Sequence, residues 1–506
     1  MKWEPITGTI AGYLWALPLV ILALTSGFIF SFRMKLPQVR KIKDMMKYLV
    51  RGKESKEGIS SFQGFAMTLG GRIGIGNIAG VATAIFYGGP GAIFWMWVIA
   101  FIGAGSALAE STLGNVYKTK IGGEYRGGPA FYIEKGLKMP VFALVFAVVS
   151  IISNAVTGPT IQAYNVAESF KNAWGIDSVI TAVFLTAIFA LIALGGMKRM
   201  GKFAQYVVPF MAFAYIIIAI IVLVANAGKI GEMFKLIFSC AFNLNAVFGA
   251  IWGQSFMWGV KRGIFSNEAG FGTGAHAAAS AEVSHPIKQG LAQSFSVYID
   301  TLLVCTATGV MILSTGMYNV LDESGTGFIV ENLKGVDHGV GYTQAAIDSL
   351  LPGVGSGFVA VAVFFFTLTT LLAFAFNTDA GMSYILRNKS RKTQKIAINI
   401  MLAAMAAITF FGSMTSTTVA WNIADMGTAI LAWVNLTAII LLSPKVVRIF
   451  KDYDKQRKMG IDPVFEPEKV GIENAELWND IVKEKYSDLV ELKREAEKRE
   501  VENKVK

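Results

Sequence analysis

Gly70-Gly-Arg-Ile-Gly-Ile-Gly-Asn-Ile-Ala-Gly80 interrupts an apolar helical pattern halfway along its length. Phe62 to Leu69 precedes it and Val81 to Tyr87 follows it. Together the three parts are long enough to cross a bilayer, which takes about 20 residues. Glycine costs roughly 1 kcal/mol per position inside a helix, so Gly70, Gly71, Gly74 and Gly76 predict a break rather than a continuous rod. Within hydrocarbon a break frees N–H and C=O groups that lipid cannot satisfy. It persists only where protein, water or a bound solute supplies partners.

Composition places this stretch in a membrane. The 506 residues are 54% hydrophobic and 16% charged, with mean hydropathy +0.51, whereas a soluble globule carries about 25% charge. The chain therefore reads as an all-α integral membrane protein. Its net charge of +11 sits in short segments between apolar runs, which does not point to nucleic acid. Cys240 and Cys305 lie in or beside apolar runs, so a disulfide framework is not expected. His276, His285 and His338 show no metal-ligand spacing. Tyr13 to Phe32 is too long for a signal peptide and is followed directly by Arg33 and Lys35. It reads as a first membrane helix whose N-terminus is outside.

About eleven spans follow, near 10–32, 62–87, 91–117, 141–168, 178–197, 204–226, 250–284, 290–315, 355–378, 396–412 and 418–443. With the N-terminus outside, the inner connections hold about 29 Lys and Arg and the outer ones about five. That asymmetry predicts a multi-pass protein of the cell membrane with a cytoplasmic C-terminus. Eleven divides as one plus five plus five, and an odd-numbered repeat crosses in opposite senses in its two copies. The expected organisation is an extra helix and basic connection in 1–57, a first five-helix repeat in 58–228, a second, inverted one in 229–444, and a charged tail in 445–506. The first helix of the second repeat should then also be interrupted. It reads Trp258-Gly-Val-Lys-Arg-Gly-Ile-Phe-Ser-Asn-Glu-Ala-Gly-Phe-Gly-Thr-Gly274, polar and glycine-rich from Asn267 onward. Paired interruptions at matching places in two halves point to a midplane site in a secondary transporter. Thr315 to Leu351 reads as a long outer connection with a short helix over Tyr342–Leu351. Glu468 to Lys506 reads as a solvated cytoplasmic helix with Leu477, Ile481, Leu489 and Leu492 at helical spacing.

The glycines of the first break admit two uses. Gly76 and Gly80 have the spacing of a helix-packing motif. Alternatively, the half-helix beginning near Asn77 offers free N–H groups and a positive dipole end to a carboxylate. Freed carbonyls at Gly74 and Ile75 would suit a small hard cation, with Asn77 capping the outer half-helix. Gln162 in span four is either interhelical glue or a substrate contact. Asn267 and Glu268 mark the second break, with Glu268 expected to accept from freed N–H groups. Thr369 and Thr370 offer hydroxyls in span nine, and Phe265 and Phe374 could close over a small side chain. Glu110, Asp300, Asp379 and Asp425 are acids in or near spans, with Glu110 and Asp379 expected at cytoplasmic ends. Gly74 to Ala79 matches G-x-G-x-x-A, but no strand precedes it and no acid follows about twenty residues on. Neither a P-loop nor a Ser-His-Asp arrangement is visible, so no enzyme and no cofactor are expected.

Between Phe62 and Pro444 the chain resembles the alanine or glycine:cation symporter family, also called sodium:alanine symporters. The resemblance lies in Gly74-Ile-Gly-Asn-Ile-Ala-Gly-Val-Ala82, Gly88-Gly-Pro-Gly-Ala-Ile-Phe-Trp-Met-Trp97 and Gly127-Gly-Pro129. It continues in Gly259-Val-Lys-Arg-Gly-Ile-Phe-Ser-Asn-Glu-Ala-Gly270 and His285-Pro-Ile-Lys-Gln-Gly290. It implies a leucine-transporter-like fold of five plus five inverted helices after one extra helix, and sodium-driven uptake of a small neutral amino acid of the alanine or glycine class. Gly74, Gly76, Asn77, Phe265, Ser266 and Gly270 would surround the substrate, with Gln162 from span four and Phe374 beside it. Sodium would sit between Gly74, Ile75, Thr369 and Thr370. The implied partners are the amino acid, sodium and membrane lipid, with no obligate protein partner. Ile75 stands where threonine is common, Phe374 where tryptophan or asparagine is usual, and Tyr164 where asparagine is. Phe374-Ala-Phe376 likewise replaces a tyrosine run. Those departures leave room for glutamine or serine as substrate, because one methylene shifts discrimination by only ~1–3 kcal/mol. Proton coupling and, in another class, an ion channel are the alternatives.

Overall fold

The computed structural model describes residues 4–50 and 57–505. Lys2, Arg51, Lys53 and Lys56, which entered the charge count, lie outside the described residues. Among those described, eight helical segments are long and apolar enough to cross a membrane: Glu4–Arg33, Ala92–Val116, Pro140–Trp174, Gly196–Ala225, Pro286–Thr315, Gly355–Ile385, Arg391–Gly412 and Thr417–Leu441. The bent pair Ala227–Ala241 and Ala246–Asn267 makes a ninth candidate. The expected spans missing from this set are the first broken one and Ser178–Ala193, a helix of 16 residues. For reference the spans keep their order along the chain, so Glu4–Arg33 is span 1, the pair around the first break span 2, and Thr417–Leu441 span 11.

Several spans run longer than the apolar pattern alone suggests. Span 4 reaches from Pro140 to Trp174 and span 6 from Gly196 to Ala225. Their polar ends continue the helix because nothing between them stops it. Span 1 is two helices, Glu4–Leu14 and Leu17–Arg33. The second restarts on Pro18, whose missing N–H is harmless in a first turn. The stretch assigned to an outer connection after span 6 contains a helix, Ile230–Ala241. Ile230, Met233, Phe234 and Ile237 give it an apolar stripe at helical spacing. The other outer connection holds an antiparallel hairpin, Asn319–Leu321 with Phe328–Glu331, and a helix over Val340–Asp348 rather than Tyr342–Leu351.

Burial orders the bundle. The apolar windows of spans 3, 8 and 9 are 72%, 72% and 83% buried, against 33% for span 6 and 22% for span 10. Spans 3, 8 and 9 are therefore central and the other two face outward. Small residues make the central contacts close: a Cβ on Gly290 of span 8 would lie 2.8 Å from the Leu108 carbonyl of span 3. Span 1 packs outside this core, where Ser26 meets Ser106 at 2.9 Å and the Trp15 indole donates to the Asp425 carbonyl.

The tail is a correction. Its residues form Ser443–Lys458, Pro467–Val470, Leu477–Lys485 and Ser487–Val505. Trp478 is fully buried and Ile481 nearly so. Much of 463–486 therefore lies against the bundle instead of standing in solvent, with Ser487–Val505 as its outermost layer.

Candidate functional site

Both predicted interruptions are present. Span 2 is Ser61–Arg72, a short 3-10 turn over Ile75–Asn77, and Ala79–Gly88. Span 7 is Trp252–Asn267 followed, after five non-helical residues, by Thr273–Ser280. Glu268, Gly270 and Gly272 have φ of 53°, 96° and 79°, a left-handed run that glycine makes affordable and that reverses the backbone polar groups. The breaks meet. A Cβ on Gly76 would stand 2.9 Å from Ser266 Cα, so only glycine lets the two backbones approach this closely.

Several backbone groups at the first break take side-chain partners. The Gly74 N–H donates to Asn77 Oδ1 at 2.9 Å and the Ile75 N–H to Gln162 Oε1 at 3.3 Å. Neither amide then continues the helix, which leaves the carbonyls of Gly70 and Gly71 to Thr370. Its hydroxyl lies 3.0 and 3.3 Å from them. The Gly74 and Ile75 carbonyls instead accept from Asn77 and Ile78 within the turn. The meeting of hydroxyl and carbonyl thus falls one turn earlier in span 2 than the sequence places it. Thr369 points elsewhere: its hydroxyl bonds its own helix at Phe365 and Phe366 and faces Met211 of span 6. Nor does Asn77 cap the outer half-helix, since its amide closes the break itself.

Asn77 also reaches span 8. Its Nδ2 donates to Asp300 Oδ1 at 2.6 Å, and Ser266 Oγ donates to the same oxygen at 3.2 Å. Thr301 Oγ1 donates to the other carboxylate oxygen at 2.6 Å. One fully buried carboxylate therefore ties the two breaks together. Cys305 lies within 3.3 Å of Asn77 Nδ2 and 3.2 Å of Ser266 Oγ. Asp300 and Cys305 belong to a π-helical segment, Tyr298–Cys305, and span 4 has another at Ser153–Thr157, just before Gln162. Such segments often sit at functional sites, and the apolar pattern gave no sign of them.

At the second break the acids exchange the expected roles. Glu268 accepts from the Thr273 hydroxyl at 2.6 Å rather than from freed backbone. Glu110, expected at a cytoplasmic end, accepts from the Gly272 N–H at 3.0 Å and from Asn435 at 2.8 Å. Asp379 lies 3.0 Å from Arg126, in the hairpin of Thr119–Ile121 with Glu124–Arg126.

The remaining residues close the site. Gln162 also accepts from Thr367 at 3.3 Å, so span 4 and span 9 share it. Phe374 lies over Gly158 on the span 4 side, where a Cβ on Gly158 would touch its ring at 2.5 Å. Phe265 packs on Trp421 at 5.3 Å between ring centroids, and the Arg262 guanidinium lies 4.6 Å over Trp421 and 4.9 Å over Phe265. Asp425 pairs with Arg262 and, at 2.8 Å, with Lys261. Together Trp421, Arg262 and Asp425 cover the side from which the longer half of span 7 enters. Trp421 and Arg262 carried no site signal in the sequence, because each gains its place only from the other. On the opposite side the approach to Ser61–Arg72 and the end of Thr273–Ser280 are joined by backbone bonds, Ile59 N–H to Ser280 O and Glu282 N–H to Ile59 O, both 3.0 Å. Gln162, Phe265 and Phe374 are all buried. The arrangement is a buried polar site of backbone dipoles, hydroxyls and the Asp300 carboxylate, set where the two breaks meet.

Residues 1–467 match the family model described as "Sodium:alanine symporter family". YrbD of Bacillus subtilis (strain 168), named as a candidate sodium/proton-dependent alanine carrier, is 49% identical over 465 residues, 92% of this chain and 95% of that protein. The sodium/proton-dependent alanine carrier protein of Bacillus sp. (strain PS3) is 48% identical over 86% of this chain and 97% of its own. GlnT of Bacillus subtilis (strain 168), a candidate sodium/glutamine symporter, is 39% identical over 91% and 93%. With two broken spans meeting at Gly76 and Ser266 and a match over most of its length, the chain belongs to the sodium:alanine symporter family.

Proposed function

We propose that this protein couples inward sodium flow to the uptake of a small neutral amino acid, of the alanine class, by alternating access. The observation that carries the reading is the contact of the two helix breaks at Gly76 and Ser266, with Gln162 and Thr370 reaching into the first of them. Sodium would take the carbonyls of Gly70 and Gly71 with the Thr370 hydroxyl. It would thereby steady the broken end and, with it, the N–H groups at Gly76 and the start of Ala79–Gly88 that face the substrate carboxylate. Each ligand then favours the other's binding, and the coupling is reciprocal. Phe265 and Trp421 would cover the side chain, and Gln162 would join the polar end. The excess of basic residues puts the tail in the cytoplasm and the N-terminus outside a cell membrane.

One sodium moving down ~100 mV gains about 2.3 kcal/mol, and a tenfold concentration ratio adds about 1.4 kcal/mol. That sum of about 3.7 kcal/mol supports a several-hundred-fold gradient of a neutral solute. Asp300 favours a second reading, in which a proton can replace sodium. A buried carboxylate shared by both breaks is where one proton would alter both.

The test is uptake by proteoliposomes of a panel of neutral amino acids, alanine, glycine, serine and glutamine among them, with and without an inward sodium gradient. Accumulation of alanine that needs the gradient supports the proposal. Accumulation driven by acid outside in sodium-free buffer would move the coupling to the proton. Conductance without accumulation would make the protein a channel.

A further inference from the structure

The face of the site opposite Trp421 is held shut by more than the spans themselves. Two backbone bonds join Ile59, ahead of span 2, to Ser280 and Glu282, after span 7. The inner hairpin, Thr119–Ile121 with Glu124–Arg126, adds a third party, since the Tyr125 N–H donates to the Glu57 carbonyl at 2.7 Å and Ser280 Oγ donates to the Tyr125 carbonyl at 3.1 Å. Any path from the meeting of the breaks past these half-helices requires Glu57–Ile59, Tyr125 and Ser280–Glu282 to separate.

Lys485, near the end of the tail helix Leu477–Lys485, bonds all three at once. Its Nζ lies 2.8 Å from Glu282, 3.2 Å from Glu57 and 3.3 Å from the Tyr125 hydroxyl. Burial pushes the Lys485 ammonium down, but hydrogen bonding and charge from Glu282 more than offset it, and its pKa is raised. The same helix is pinned by Trp478, whose indole donates to the Asn115 carbonyl at the end of span 3. Lys118 lies 4.6 Å over both the Trp478 and Tyr125 rings. Upstream, the Phe465 N–H donates to the Ser284 carbonyl and Lys288 pairs with Asp462 at 2.7 Å. The family model ends at residue 467. The pieces that bridge the three inner elements, Trp478 and Lys485, both lie beyond it.

We infer that residues 477–485 are a brace across the inner gate: the tail stabilises the closed inner face and must shift or detach for solute to leave on that side. The inference rests on the carrier reading for what the gate releases, and on the tail being cytoplasmic. Glu57, Glu282, Tyr125, Lys118, Tyr486 and Lys120, which lies 3.5 Å from Glu57, are the charged and titratable groups around Lys485.

The test is thiol accessibility in full-length protein in sealed vesicles, with an impermeant maleimide supplied to the face that carries the tail. Ala277→Cys is the reporter. It lies on the inner half of span 7, beside the small cavity bounded by Glu268, Thr273 and Asn377, and its labelling is read peptide by peptide by mass spectrometry. Adding Lys485→Gln should raise the labelling rate roughly three- to fivefold, the size expected for a partly exposed ion pair. Lys485→Glu should raise it further, by setting three carboxylates together. Lys485→Glu combined with Glu282→Lys restores one cation among two carboxylates and should return the rate to within about twofold of the parent. Equal labelling in parent and Lys485→Gln, or no recovery in the charge swap, would overturn the brace. Labelling needs no substrate or sodium gradient, so the outcome stands apart from the uptake assay. Reaction only from the opposite face would refute the assignment of this side as the inner gate.

Discussion

Replacing Gly76 by Ala asks whether the two breaks must touch. The added methyl carbon would stand 2.9 Å from Ser266 Cα and 3.2 Å from Ser266 Cβ. A Cα cannot rotate away, so the half-helices must move apart by several tenths of an ångström. Overpacking of this kind costs about 1–3 kcal/mol. Here the cost falls on the conformation in which the site is assembled, and it corresponds to a roughly 5- to 150-fold loss of substrate affinity. Gly80 is the control. It lies just past the break, in the first turn of Ala79–Gly88, and a Cβ there meets nothing closer than 3.9 Å. Gly80→Ala should leave binding within about twofold and raise stability by up to ~1 kcal/mol, because alanine is the better helix former. The assay is equilibrium binding of labelled substrate to purified protein, with thermal stability measured on the same samples. Equal damage from both substitutions would refute the reasoning. Gly76 and Gly80 would then be a helix-packing pair, and the contact with Ser266 would be incidental.

Three further predictions use the same site and the tail that packs beneath it. Thr370→Val should raise the sodium concentration for half-maximal uptake roughly tenfold or more, through loss of one oxygen ligand. Thr369→Val should change it little, because that hydroxyl serves its own helix. Gln162→Ala leaves the Ile75 N–H and the Thr367 hydroxyl without their acceptor. Substrate affinity should fall by about 1–3 kcal/mol, and unaltered affinity returns Gln162 to a packing role. At the inner gate, the hydrogen bond from Lys485 holds the Glu57 carboxyl below its ordinary range. A depressed carboxylate stabilises the docked tail fully above its unperturbed value of 4.5 and loses that contribution as pH falls through the docked value. Hydrogen exchange in 477–485, corrected for its intrinsic pH dependence, should therefore accelerate as pH falls below 4.5. In Lys485→Gln this acceleration should be largely absent.

Much of the architecture is written locally in the chain. Apolar runs separated by short basic segments specify a membrane bundle, because hydrocarbon rejects charge and demands paired backbone. Clustered glycines at 70–80 and 267–274 specify where two of those helices stop, because each glycine weakens the helix that contains it whatever lies nearby. Gln162 and Thr370 were legible for the same reason: a polar side chain within an apolar span needs a partner.

Other features depended on parts of the chain far apart in sequence. Which carbonyls the first break frees was decided by Asn77 and Gln162 taking the next two amides. That choice moved the hydroxyl contact from Gly74 and Ile75 to Gly70 and Gly71. Glu110 reads as the end of a helix until Gly270 and Gly272 turn the second break toward it. Trp421, Arg262 and Asp425 become a cover only when span 11 lies against span 7. The tail reads as solvated because its charges are dense, yet Trp478 and Lys485 find Asn115, Glu57 and Glu282 more than two hundred residues away. Helix breaks are set by short-range backbone energetics, which sequence carries. The direction a buried polar group faces is set by whichever distant partner satisfies it, and only the packed molecule brings that partner within reach.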